Sequence, residues 1–129
     1  MALDISNLPE PVIEFTRERH LATLTTIRPD GSPHVVPVGF TFDAATATVR
    51  VITWAASVKA RHARSGGRAA VSQVDGGRWL TFEGPISLSD DPAEVAEAVA
   101  RYTERYREPK KREDRVVLRI AVDRVLGRA

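Results

Sequence analysis

No cysteine occurs among the 129 residues, so disulfide bonds, thiolate catalysis and cysteine-ligated zinc are excluded. No apolar run approaches the roughly 18 residues that a membrane-spanning helix requires. Met1–Asn7 lacks the basic start and apolar centre of a secretory signal, and the expected location is cytoplasmic. The formal net charge is only +2, from 19 basic and 17 acidic side chains, too small an excess to argue for a nucleic-acid partner. No Gly-x-Ser-x-Gly elbow is present, nor a Gly-x-Gly-x-x-Gly or Walker sequence. The three histidines, His20, His34 and His62, do not stand at metal-ligand spacing. His20 and His34 can face each other across a hairpin, which reads as a surface or core pair rather than a metal site. Paired carboxylates are equally unconvincing: Glu83 sits beside Gly84 in a strand pattern, and Asp90-Asp91 has a helix-capping explanation. No catalytic side chain and no metal are assigned.

A hydrophobic content of 43% and a charged content of 28% suit one globular domain spanning residues 1–129, long enough to bury most of its apolar surface. Its distinctive stretch is Ser57–Arg68, with Lys59, Arg61, Arg64 and Arg68 and no acid. Ser57 is a good N-cap and Gly66-Gly67 a stop signal, so the middle reads as a short helix. Free N–H groups and the helix dipole at such a start favour an anion.

Along the chain, Leu8–Arg19 reads as a short amphipathic helix, with Pro9 and Pro11 at its start. His20–Arg28 and Pro33–Phe42 read as a hairpin about Pro29-Asp30-Gly31-Ser32. Pro37 interrupts the second strand; proline cannot donate to a ladder, so a bulge or an unpaired edge is expected there. Ala47–Ala55 is a third strand, with Val49, Val51 and Thr53 on one face. Arg68–Val74 and Arg78–Leu88 form the next hairpin, with a bend at Gly84-Pro85. Asp91-Pro92-Ala93-Glu94 starts a helix whose apolar stripe is Val95, Val99, Tyr102 and Tyr106. Arg107–Asp114 reads as a charged loop, and Arg115–Val125 as the closing strand. The expected fold is mainly β, α+β by content: a six-stranded antiparallel barrel with short flanking helices.

Such a barrel leaves a binding site made of backbone and a few side chains. Its anion end comprises Ser57, Lys59 and Arg61, with Arg64 nearby. Its ring end comprises Val36-Pro37-Val38-Gly39 together with Thr53 and Trp54, since a flat heteroaromatic ring needs polar backbone groups at its edge and apolar walls. Trp54 and Trp79 fit this role or a core or interface role equally well. Gln73 either bonds a ring or caps a strand end.

Arg19–Thr26 leading to Gly31–Val38, followed by Ser57-x-Lys59-x-Arg61 and Ser72–Leu80, resembles the pyridoxamine-phosphate-oxidase-like proteins. Within them the three segments are most similar to the branch using the deazaflavin coenzyme F420, and in particular to its biliverdin reductases. The resemblance covers about Phe15 to Leu126 and implies an FMN-binding-type split β-barrel with Greek-key connections, active as a homodimer. By that resemblance Val36, Pro37 and Val38 line the deazaflavin through backbone contacts. Ser57, Val58 and Lys59 meet its ribityl and phosphate portion, Lys59 matching the family's phosphate-binding lysine. Arg61 and Arg64 lie near the phosphate or the oligoglutamyl tail; the family often has Asn where this chain has His62. Gln73, Val74 and Trp79, from either subunit, complete the pocket. The implied reaction is hydride transfer from C5 of reduced coenzyme F420 to a conjugated acceptor such as biliverdin, at its central bridge carbon, with arginines pairing its propionates and the proton coming from solvent. FMN is the alternative cofactor, and a non-catalytic flavin- or haem-binding protein the alternative function.

Overall fold

Apolar residues at every second position and turn residues between them predict hairpins, and the computed structural model, which describes residues 2–129, is built of them. In chain order the elements are β1 (Ala2–Leu3), α1 (Glu10–Arg17), β2 (Ala22–Ile27), β3 (Pro33–Val38), β4 (Thr41–Asp43), β5 (Thr48–Trp54) and α2 (Val58–Ser65). There follow β6 (Arg68–Asp75), β7 (Arg78–Ser89), α3 (Pro92–Arg105), β8 (Arg115–Ala121) and β9 (Arg124–Arg128). All pairings are antiparallel, in the order β3-β2-β6-β7-β8-β5-β4, with β9 also on β7 and β1 on β9. The sheet curls without closing, so β3 and β4 keep a free edge each. That is a split barrel.

The inner face carries Leu24, Phe40, Val49, Val71, Leu80, Phe82, Leu118, Ile120 and Val125, all essentially inaccessible. Phe82 is the centre, its ring 4.6 Å from that of Phe42 and 5.7 Å from that of Phe40. Helix α1 closes one opening with Val12 and Phe15. Helix α3 starts as expected, Asp91 accepting the Glu94 N–H at 3.1 Å. Only Ala98 on it is fully buried; the expected stripe of Val95, Val99, Tyr102 and Tyr106 is half-buried, so the helix lies along the barrel rather than within it.

Nine strands stand among the described residues where six were expected, because two of the six are each broken and a two-residue strand precedes them. Pro33–Phe42 divides at Gly39-Phe40. There the Phe40 N–H donates to the Tyr106 hydroxyl at 3.2 Å, and the Phe40 carbonyl accepts from Arg105 at 2.6 Å. Side chains of α3 and the residue after it thus take the backbone groups that a continued ladder would need. Arg115–Val125 divides at Val122-Asp123, whose N–H groups donate to the carbonyls of Ala47 and Glu83. Strand β1 is too short to show a period.

Gly84 marks the place where β7 changes neighbour, from β9 over Trp79–Glu83 to β8 over Ile86–Ser89. A Cβ there would lie 2.0 Å from the Ala121 carbonyl oxygen, so only glycine admits the approach. Pro37 sits in unbroken register with Thr23 on the edge strand β3, which settles the expected choice in favour of an edge over a bulge. The Arg28 N–H donates to the Ser32 carbonyl; by alternation Leu24↔Val36 and Ala22↔Val38 are then the hydrogen-bonded pairs. The Pro37 nitrogen and carbonyl therefore face the open edge, where a missing N–H does no harm.

Candidate functional site

Helix α2 begins as its sequence dictates. Ser57 is 4% exposed; its Oγ accepts the Ala60 N–H at 3.2 Å and the Thr53 hydroxyl at 3.0 Å. Both hydroxyls are spent on fixing the turn against β5. Gly66 ends the helix at φ 79°, a conformation disfavoured for a residue with a Cβ.

This turn places Lys59 on the wall of a groove of about 220 Å³ that also presents Pro37, Val38, Thr53 and Trp54. Gly39 lines it too, so six of the expected residues meet at one site. Lys59 is half-buried, and no carboxylate lies within ion-pair distance of it among the described residues. Its Nζ stands 4.9 Å from the centre of the Trp54 ring. Burial pushes its pKa below the ordinary lysine value, the signature of a cation that lacks a counter-charge. Arg61 and Arg64 are exposed further along α2, likewise without carboxylate partners among the described residues. Val58 is 41% exposed at the start of the helix, and Val36 is half-buried; neither lines the groove.

Other expectations are corrected. Arg68 does not belong with the basic patch, because Asp123 grips its guanidinium with two hydrogen bonds of 2.7 and 2.8 Å. Gln73 is 1% exposed, its amide N–H donating to the Phe15 carbonyl at 2.9 Å and its oxygen accepting from Arg105. With both ends used inside the barrel, it can reach a ligand in neither its own subunit nor another. Val74 and Trp79 pair across the far end of the β6–β7 hairpin, away from the groove of their own subunit. His20 does not face His34. It lies beside Glu18 and Asp75, whose ligand atoms cluster with its own within 4.8 Å, and Arg78 bridges the two carboxylates.

The opposite wall comes from the segment read only as a charged loop. Pro109, Arg112 and Arg115 line the groove with Tyr102. Arg112 is 5.2 Å from the Trp54 ring centre and is paired to Asp114. The segment is tethered at Asp114, whose carbonyl accepts the Ala55 N–H at 2.8 Å. Charge density in Arg107–Arg115 was the available signal, but no periodicity says which side such a segment folds toward.

On α2 His62 is buried, Nδ1 2.7 Å from the Thr26 hydroxyl, and its ring meets His34 edge-on at 5.2 Å. The Nδ1 of His34 is buried without a partner. Burial first, then the neighbouring His62, Arg28 and Lys59, hold the His34 pKa below 6.5. The unfolded chain therefore takes up this proton before the folded one as pH falls. Stability associated with His34 is present above about pH 6.5 and declines below it, until the folded pKa is passed. An NMR titration should find the His34 ring protons changing at lower pH than a free histidine, with the urea midpoint falling in the same interval. A midpoint rising there would contradict the sign.

The donor set suits a ligand with one anionic end and one flat end. Lys59 lacks a counter-ion, the Pro37 carbonyl is free at a sheet edge, and Trp54, Val38 and Tyr102 supply apolar surface. Residues 8–129 match the family described as pyridoxamine 5'-phosphate oxidase. The chain is 49% identical over 124 residues to the F420H(2)-dependent biliverdin reductase of Mycobacterium tuberculosis (strain CDC 1551 / Oshkosh), covering 96% of this chain and 90% of that protein. A conserved hypothetical protein from Mycobacterium tuberculosis superposes with a TM-score of 0.78 at 26% identity, over 94% of this chain and 84% of that one. An F420 reductase shares the fold with a TM-score of 0.74 at 23% identity, over 92% and 98% of the two chains.

Proposed function

The chain belongs to the pyridoxamine 5'-phosphate oxidase family, and from that premise we propose that it is an oxidoreductase using reduced coenzyme F420 to reduce biliverdin or a similar conjugated tetrapyrrole. The observation that carries this is the 49% identity, over nearly the whole chain, to an F420H(2)-dependent biliverdin reductase. In this reading the cofactor is held at the groove beside Lys59.

When bound, the deazaflavin supplies the hydride chemistry. The chain's own residues bind and orient. Lys59 gives its unpaired ammonium to the cofactor phosphate, and Arg61 and Arg64 extend the cationic surface along α2 toward a polyanionic tail. Three cations without partners exceed what one FMN phosphate needs, which favours the deazaflavin over FMN. The Pro37 carbonyl meets the polar edge of the ring system, and Val38 and Trp54 exclude water from its faces. Arg115, on the facing wall, would pair a propionate of the acceptor, whereas Arg112 there is held by Asp114. The proton comes from solvent, and no general acid is assigned. The location in this reading is the cytoplasm. No helix of the structure is long and apolar enough to cross a membrane.

The working unit is a homodimer in this reading. Leu21, Ile27, Val35 and Val74 are exposed apolar residues spread along the outward face of β2, β3 and β6, surface that favours cover. Val74 and Trp79 then serve at the interface. Sedimentation at micromolar concentration should give a dimer, and Val35→Lys with Val74→Lys should yield a monomer with weakened cofactor binding. A monomeric wild type would remove the dimer. Anaerobic mixing of protein, reduced coenzyme F420 and biliverdin should regain the oxidised deazaflavin absorbance as biliverdin is consumed. Persistence of the biliverdin absorbance with no return of the oxidised deazaflavin absorbance would refute the reductase.

A further inference from the structure

The ring end of the Lys59 groove is bounded by Pro37, Val38 and Gly39 at the β3 edge and by Tyr102 from α3. Gly39 is not one of the glycines at positive φ, so its backbone conformation is open to other residues. What leaves no room for a side chain is α3 and the residue after it. A Cβ on Gly39 would lie 3.0 Å from Tyr102 Cε2 and 3.2 Å from Tyr106 Cε2, both closer than carbon atoms prefer.

The two tyrosine rings stand 4.9 Å apart, centre to centre, and they differ in freedom. The Tyr106 hydroxyl accepts the Phe40 N–H at 3.2 Å and donates to the His20 carbonyl at 2.6 Å. Arg105 beside it donates to the carbonyls of Phe40 and Glu18 at 2.6 and 2.9 Å. These bonds tie the end of α3 to the Gly39-Phe40 break and to the segment before β2, so Tyr106 is fixed. Tyr102 is half-buried, and its hydroxyl makes no hydrogen bond among the described residues and is not enclosed. Pressed from residue 39 and backed by Tyr106, its ring would give way toward the open space of the groove.

We infer that Gly39 and Tyr102 determine which flat ligand the groove accepts. The bare backbone of Gly39 seats the Tyr102 ring so that the slot beside it stays open, and the Tyr102 hydroxyl is the donor for the polar edge of the ligand's ring. A phenol hydroxyl both donates and accepts, which suits the carbonyl edge of a deazaflavin or flavin. The inference rests on the groove holding a flat cofactor, as proposed above. Lys59 and the other α2 cations govern the anionic end of that ligand, this pair governs the ring end, and the two contributions are separable.

Fluorescence titrations with coenzyme F420 and, separately, with FMN test the seat. For the ligand that binds the wild type, Gly39→Ala should weaken binding about tenfold, within the range of overpacking effects. Its salt dependence should stay that of the wild type, because the cations are untouched. In a Tyr102→Ala protein the same Gly39→Ala change should cost about twofold or less, since the ring that must move is gone. Tyr102→Phe keeps the ring and should weaken binding about fivefold, the scale of one hydrogen bond. In the unliganded Gly39→Ala protein the Tyr102 ring protons should shift by NMR while the amides of Ser57–Lys59 stay in place. Equal costs of Gly39→Ala in the two backgrounds, or full affinity in Gly39→Ala or in Tyr102→Phe, would overturn the inference. A wild type that binds FMN alone would refute the coenzyme F420 reading, and the same order of variants against FMN would still uphold the seat. A wild type that binds neither ligand would overturn both.

Discussion

Replacing Lys59 with alanine should weaken the binding of coenzyme F420 by about 1.5–3 kcal/mol, the scale of a charge-assisted contact, or roughly 10- to 150-fold. Lys59 is half-buried and unpaired on the groove wall, so its burial is offset only when an anion arrives. That asymmetry makes the loss larger than for Arg61→Ala or Arg64→Ala, whose exposed guanidinium groups are screened by water and salt. Packing is a competing explanation, because the Lys59 stem runs beside Trp54. Two comparisons separate it from charge. Lys59→Met keeps the stem and should lose nearly as much affinity as alanine. A deazaflavin lacking the phosphate should bind the wild type and Lys59→Ala about equally. Fluorescence titration reads both; equal losses for the two ligands would make Lys59 a packing residue.

Gly84→Ala should destabilise the fold by at least about 3 kcal/mol, at or beyond the upper end of overpacking effects. The added Cβ meets the Ala121 carbonyl oxygen at 2.0 Å and its carbon at 2.8 Å. Both are backbone atoms in a ladder that also seats Ile86 on Ile120, so neither can rotate aside. Relief would require β8 to separate from β7 where the latter changes neighbour. Gly77→Ala is the control, since a Cβ there meets nothing within 4 Å, and it should change stability by no more than about 0.5–1 kcal/mol. Urea denaturation of the three proteins decides the matter. A Gly84→Ala midpoint matching the wild type would mean that the two strands do not approach so closely.

The parts legible in the sequence were those governed by local rules. Ser57 and Asp91 cap their helices because short polar side chains ahead of a helical run have few other roles. Val49, Val51 and Thr53 share the buried face because a strand alternates. Where a distant group intervened, the sequence was silent. The Pro33–Phe42 run has no breaker at Phe40; the break is made by Arg105 and Tyr106, more than sixty residues away. Gln73 is hydrophilic by composition but is drawn inward by Arg105 and the Phe15 carbonyl. Arg68 stands in the same basic stretch as Lys59, yet Asp123 neutralises it. Local charge therefore located the proposed anion-binding turn, while tertiary pairing determined which of its cations remain available. The far wall of the groove, Pro109 to Arg115, was invisible for the same reason: its place depends on a tether from Ala55.

The most direct test of the account is a fluorescence titration of the purified protein with oxidised coenzyme F420 and, separately, with FMN, each at low and high salt. The account predicts tighter binding of the deazaflavin, weakening as salt rises and more steeply for a long glutamyl tail than for a short one. FMN binding more tightly, or deazaflavin affinity indifferent to salt, would contradict it.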